Sequence, residues 1–190
     1  MSTQIVSMLE QHGIYIANQF LDPGDFMDLA DSFDEHDFEA SYQPSGEFYG
    51  NRLQAYPVYE TDHLSDINPE LNDKIKSRVE EILGEEVENF YASLRYVLMD
   101  EVKQSAQSEK YAIKHVDPRH CAGVLYFEQA VDGGTAFFRT IHDKKPDSEI
   151  GAYPNRCVLY NGQSIHAPCN DFTYDKRKIL VFFFNIKLDK

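Results

Sequence analysis

His115-Val116-Asp117 sets an imidazole and a carboxylate two residues apart at the end of a β-rich stretch, Tyr111 to Asp117 (YAIKHVD). Side chains two apart on a strand share a face, so both groups would meet one pocket, with Tyr111 and Ile113 behind them. A lone HxD is a weak signal in an Asp-rich chain with seven His, where a histidine beside a turn is the ordinary reading. His166, in the short β-like stretch Ser164 to Ala167, supplies a third group. Two neutral imidazoles and one carboxylate on adjoining strands form the facial set that takes one side of Fe(II) and leaves the other positions open. A structural zinc site would instead fill four positions with protein ligands, usually including Cys.

Arg177 follows, immediately before the apolar stretch KILVFFFNI. A guanidinium entering an apolar barrel is costly unless an anion meets it. Its planar fork also grips a carboxylate through two parallel hydrogen bonds. The plain alternative is a strand-edge Arg in the basic patch Lys176-Arg177-Lys178, facing water. His120 and His142 read as loop residues, and His12, His36 and His63 have no partners at suggestive spacing. Cys169, three after His166, and Cys121 allow a His/Cys zinc site to be drawn, but without paired-ligand spacing. A Cys-His nucleophile pair lacks any nameable orienting group. Arg139 and Arg156 are either mouth residues or surface charges.

These groups need a scaffold. Gly13 to Leu21 reads as a strand. Asp22-Pro23 opens a helix with Phe26, Leu29, Ala30 and Phe33 at helical spacing. Asp34 to Asp66 is polar, aromatic and Gly-containing, and resolves only into short strands and loops. A clearer helix starts at Asn68-Pro69, carries Leu71, Ile75, Val79, Ile82 and Leu83 on one face and closes at Gly84. From Val87 the pattern changes to strands: Phe90–Met99, Tyr111–Asp117, Gly123–Phe127, Thr135–Thr140, Arg156–Tyr160, Ser164–Ala167 and Lys178–Ile186. Asp100 to Lys110 is a polar connector of the kind that stays mobile. The last strand is apolar at consecutive positions, which implies cover on both faces. Helices followed by many short strands predict an α+β, mainly β fold, a β-sandwich or barrel buttressed by N-terminal helices.

The chain has 190 residues, 42% of them hydrophobic, which suits one domain with a core. The expected division is a helical or mixed support over 1–86 and a β core over 87–190. With 32 acidic against 18 basic residues the net charge is −14, which disfavours general binding to a phosphate backbone. Three Cys without a CxxC argue against a disulfide framework and for a reducing compartment. No run reaches the roughly 20 apolar residues of a membrane helix, and the first residues lack signal-peptide character. The expectation is a cytoplasmic protein with no membrane association; oligomeric state is not readable.

Three segments carry a resemblance: Tyr111-Ala112-Ile113-Lys114-His115-Val116-Asp117, Ala122-Gly123-Val124-Leu125-Tyr126-Phe127 and Asp132-Gly133-Gly134-Thr135-Ala136-Phe137. With His166 and Arg177 before the last strand, they resemble the core of the Fe(II)/2-oxoglutarate-dependent dioxygenases, closest to the prolyl-4-hydroxylase-like branch. The resemblance spans about half the chain, Phe90 to Ile186. It implies a double-stranded β-helix (jelly-roll) and an oxygenase, a hydroxylase of a small metabolite, amino acid or peptide side chain. It also implies that Fe(II) is ligated by His115, Asp117 and His166, with 2-oxoglutarate and O2 as co-substrates. Arg177 and Tyr126 would hold the distal carboxylate of 2-oxoglutarate. The chain departs from the family pattern at Phe127-Glu128, where Leu-Asn is common, and at His166-Ala167-Pro168, which lacks a glycine often found there. Two other classes fit a jelly-roll: a non-catalytic binding or structural module, and a cupin-like metalloprotein with other chemistry.

Overall fold

The computed structural model describes residues 2–41, 57–104, 110–128 and 132–187. Two helices anchor the N-terminal half. Helix α2 (Pro23–Glu35) begins with proline at its first turn and buries Leu29, Ser32 and Phe33. Helix α4 (Pro69–Leu83) is stopped at both ends by the residues the pattern singled out. The Asn68 side chain accepts from the Leu71 amide, and Gly84 closes the helix in the left-handed region at φ 70°. Its buried face is Leu71, Ile75, Val79 and Leu83, while Ile82 is only partly buried.

Three short helices lie outside the predicted elements: α1 (Ser2–Glu10), α3 (Leu64–Ile67) and α5 (Met99–Gln104). The last occupies the start of the supposed connector, where Met99 and Val102 are buried. Residues 105–109 of that connector and 42–56, just under half of the polar aromatic stretch, lie outside the described residues.

The strands are β1 (Ile14–Asn18), β2 (Glu39–Ser41), β3 (Val58–Glu60), β4 (Val87–Leu98), β5 (Cys121–Tyr126), β6 (Thr135–Phe138), β7 (Ser148–Ile150), β8 (Arg156–Asn161), β9 (Ile165–Pro168) and β10 (Lys176–Ile186). They form an antiparallel seven-stranded sheet in the order β1-β8-β5-β10-β4-β3-β2 and a three-stranded sheet, β7-β6-β9. This is the jelly-roll arrangement, with helices on one side of the large sheet. β1, β2 and β3, from the N-terminal part of the chain, join the same sheet as the later strands.

Register sorts the large sheet into two faces. Leu94, Leu180, Leu125 and Cys157 are opposite one another across β4, β10, β5 and β8, as are Ala92, Phe182, Gly123 and Leu159. This face packs on Leu29, Phe33, Ile75 and Val79 of the helices. Gly123 is required here: a Cβ would lie 2.2 Å from Cζ of the Phe182 ring that covers it. The alternate positions, Tyr91, Phe183, Ala122 and Tyr160, then Val181, Val124 and Val158, face the small sheet and pack with Phe137. The consecutive apolar residues of β10 are therefore buried on both sides, as the pattern predicted. The polar groups of interest sit on this second face.

Two of the differences from expectation bear on the site. Tyr111–Asp117 is not a continuous strand; it touches the small sheet through single bridges, Tyr111 to Cys169 and His115 to His166. Pro118, which has no N–H, ends the pairing just past Asp117. Arg177 does not precede the last strand but lies inside it, opposite Val97 and 4% exposed, so its water-facing reading fails.

Candidate active site in the cavity between the sheets

His115 and His166 exchange backbone hydrogen bonds in both directions, at 2.9 and 3.0 Å, so their side chains stand side by side with ring centroids 4.3 Å apart. The Asp117 amide donates to the Gly162 carbonyl at 2.7 Å, which seats the carboxylate beside the two rings. One ligand atom from each of His115, Asp117 and His166 falls within 4.8 Å of the others, and no other His/Cys/Asp/Glu group does so among the described residues.

The tautomers are set by the backbone. His115 Nδ1 is 3.0 Å from the Ile113 carbonyl and His166 Nδ1 is 2.9 Å from the Ser164 carbonyl. With Nδ1 donating to a carbonyl, the neutral form of each ring presents its lone pair on Nε2. Those Nε2 atoms face the Asp117 carboxylate at 3.9 and 3.4 Å. Desolvation, reinforced by the neighbouring His166, lowers the His115 pKa to about 4, although a third of the side chain reaches solvent. Two imidazole nitrogens and a carboxylate converging on one point are the donor set a divalent cation needs.

Tyr160, unremarked in the sequence, buttresses this set. Its hydroxyl donates to Asp117 Oδ2 at 2.9 Å and lies 3.3 Å from His166 Nε2. Burial and the Asp117 charge push its pKa well up, so it stays a neutral donor.

The same cavity, about 90 Å³ in volume, is lined by Arg177, Thr135 and Arg95 among others. Arg177 donates through Nε to the Gly133 carbonyl and through Nη2 to the Gly134 carbonyl, 3.2 Å away. Among the described residues no carboxylate forms an ion pair with it, so a buried cation faces the cavity with no carboxylate in contact. Tyr126, 1% exposed, does not line the cavity itself. Its hydroxyl is 2.6 Å from Thr135 Oγ1, and its ring lies 6.0 Å from the Arg177 guanidinium. Thr135 is thus the hydroxyl at the wall, with Tyr126 behind it.

Other candidates lie elsewhere. Cys121, Cys157 and Cys169 are buried free thiols, with pKa values raised by burial, so they are poor ligands and nucleophiles. Arg139 faces Asp147 on the surface, and Arg156 ties Asn18 to the Gly151 carbonyl; neither lines the cavity. His120 and His142 are exposed, His12 and His63 pair with serines, and His36 is only part-buried.

No protein-family model matches the sequence, and no curated protein does. Solved structures do match. A Pseudomonas putida prolyl-4-hydroxylase superposes with a TM-score of 0.63 at 14% identity, over 98% of this chain and all of that one. The fold is that of the 2-oxoglutarate–Fe(II) oxygenase structures. A Trichoplax adhaerens prolyl hydroxylase, in complex with a hypoxia inducible factor peptide fragment, matches with a TM-score of 0.65 at 14% identity, over 96% of this chain and 88% of that one. HygX from Streptomyces hygroscopicus, with nickel and 2-oxoglutarate bound, gives 0.62 at 9% identity, over 97% of this chain and 87% of that one. The oxygenase fold thus spans nearly the whole chain, including the N-terminal helices.

Proposed function

We propose that the protein is an Fe(II)- and 2-oxoglutarate-dependent oxygenase, a hydroxylase acting on a small molecule or a peptide side chain. Residues 1–190 would act as one domain. The observation that carries this reading is the pairing, in one cavity, of the convergent His115–Asp117–His166 cluster with the buried cation Arg177, which no carboxylate contacts among the described residues. A site for a metal alone would not need the cation. A degenerate binding module would not be expected to keep both costly features.

The residues fit the group in kind. His115 Nε2, His166 Nε2 and Asp117 would hold Fe(II), and the carbonyls of Ile113 and Ser164 keep both rings in the ligating tautomer. Arg177 and the Thr135 hydroxyl would receive the distal carboxylate of 2-oxoglutarate, with Tyr126 orienting Thr135. Iron with 2-oxoglutarate supplies the activation of O2 that couples decarboxylation of the co-substrate to oxidation of a substrate C–H bond. The chain's own part is positional. Tyr160 fixes Asp117, the glycine carbonyls aim Arg177, and Val124 of β5 and Val181 of β10 give the cavity an apolar wall.

The test is succinate formation from 2-oxoglutarate by the iron-loaded protein under air. Turnover that requires added Fe(II) and disappears in His166→Ala is expected. Turnover unaffected by that substitution, or by chelating the iron, would reject the assignment.

A further inference from the structure

Arg95 is a second cation in the cavity, and the co-substrate site described above does not use it. It lies on β4 opposite Ile179, two positions before Val97, on the face that carries Val124, Tyr160 and Arg177. On the other side it is paired with Glu60 of β3. Arg95 lines the cavity together with His115, Asp117 and His166, whereas Glu60 does not and stands behind it.

The hold on Arg95 is unusually complete. Its Nε and Nη2 donate to the same oxygen, Glu60 Oε1, at 2.9 and 2.6 Å. Ser93 Oγ, at 2.7 Å, and the Tyr91 hydroxyl, at 3.2 Å, donate to that oxygen as well. The guanidinium lies 5.7 Å from the centre of the Phe183 ring. The pair is largely buried, with side chains 15% and 16% exposed. A buried ion pair of this kind adds little to folding compared with apolar residues of the same volume, and Ile179 and Phe183 beside it would accept an apolar neighbour. What it does provide is a guanidinium already fixed in direction, which loses little freedom when an anion docks on its remaining edge.

We propose that Arg95 is the substrate-recognition residue of the cavity and that the substrate presents a carboxylate to it. The inference rests on the oxygenase reading, because it takes Arg177 for the co-substrate and leaves Arg95 for the substrate. Glu60, Ser93 and Tyr91 are its positioning residues. The carboxylate can belong to a small free acid or to an acidic side chain of a peptide, and the test separates the two.

The experiment uses the full chain loaded with Fe(II) and 2-oxoglutarate under anaerobic conditions. Three probe sets are titrated by calorimetry: free L-amino acids, their C-terminal amides, and N-acetylated peptide amides whose only carboxylate is an internal Asp or Glu. Succinate release under air is measured on the same sets. Binding and turnover by acids but not by the matching amides are expected. Response to the free acids identifies a small substrate, and response to the acidic peptides alone identifies a peptide one. Arg95→Met should weaken binding of the responding acid roughly 10- to 150-fold, the loss of a charge-assisted hydrogen bond. The 2-oxoglutarate titration midpoint should move less than about twofold. Because Arg95→Met removes the cation that Glu60 faces, the double variant Arg95→Met/Glu60→Gln is measured too and should show the same selective loss.

Equal response to acids and amides, or no response to any carboxylate in the panel, overturns the proposal. So does a shift of the 2-oxoglutarate midpoint in Arg95→Met as large as that in Arg177→Met, since Arg95 would then serve the co-substrate. Failure of the wild-type protein to bind 2-oxoglutarate at all would instead reject the oxygenase reading beneath it.

Discussion

Tyr160→Phe removes one oxygen atom from the cavity and tests whether Tyr160 holds the proposed iron ligand Asp117 in place. The ring should stay, since it packs edge-on against Phe137 at 5.1 Å and beside His166. What is lost is the donor to Asp117 Oδ2 at 2.9 Å, in a site where Asp117 is 7% exposed and Tyr160 2%. A hydrogen bond to a charged group is worth about 1.5–3 kcal/mol, and its buried acceptor has little water to replace it. Converted to affinity, that is a roughly 10- to 150-fold weaker hold on Fe(II), which agrees with the ~10- to 100-fold cost of removing a group that orients a metal ligand. The assay is anaerobic competition for Fe(II) against a chelator of known affinity. Tyr126→Phe is the control, because its hydroxyl contacts Thr135 rather than the metal cluster and should change iron affinity less than about twofold. Equal iron affinities for wild type and Tyr160→Phe, or a larger loss in Tyr126→Phe, would refute the reasoning.

Arg177→Met should raise the 2-oxoglutarate concentration needed for half-maximal turnover by about tenfold or more, with iron affinity in the chelator assay nearly unchanged. Gly162→Ala should both lower the melting temperature and weaken iron binding, because its Cβ would lie 2.1 Å from the Arg119 carbonyl oxygen and 3.3 Å from Asp117 Cβ; a variant as stable as wild type would show that this turn yields freely. Gly123→Ala should destabilise through the clash with Phe182, by about 1–3 kcal/mol, measured by urea unfolding. Burial holds the His115 pKa at about 4, below its value of ~6.5 in an unfolded chain, so between those values the unfolded state binds more protons. Metal-free protein should therefore lose stability as pH falls from about 6.5 toward 4, and His115→Asn should lose less over the same range in paired urea titrations.

Local grammar explains what the sequence made legible. Helix α4 could be bounded because Asn68, Pro69 and Gly84 act on adjacent backbone groups, and those effects need no knowledge of the rest of the chain. β10 could be read as doubly covered because the apolar run KILVFFFNI has no polar face to give to water. His115, Asp117, His166 and Arg177 were visible through residue type and order, and the fold brings all four to one cavity. The strand assigned to Tyr111–Asp117 failed because its β-rich composition cannot reveal that only Tyr111 and His115 form bridges and that these are isolated. α1 and α5 are short, and part of their burial comes from residues distant in sequence, such as Leu71 and Ile75 for α1 and Val58 and Phe172 for α5. Arg95, Glu60, Thr135 and Tyr160 were missed for a related reason. Alternation tells which residues share a face of one strand, but not which strand lies across it. Only the register of β3, β4, β10, β5 and β8 sets Glu60 behind Arg95 and Tyr160 beneath Asp117. The described residues contain no helix long and apolar enough to cross a membrane, in keeping with the polar composition.

The central claim is that one cavity binds Fe(II) and 2-oxoglutarate together. The most direct measurement is an anaerobic titration of 2-oxoglutarate into the Fe(II)-loaded protein, following the visible metal-to-ligand charge-transfer band of the chelate. A saturable band that is absent in His166→Ala and shifted to higher 2-oxoglutarate in Arg177→Met is the predicted result. A protein that loads iron fully yet develops no band with 2-oxoglutarate would contradict it.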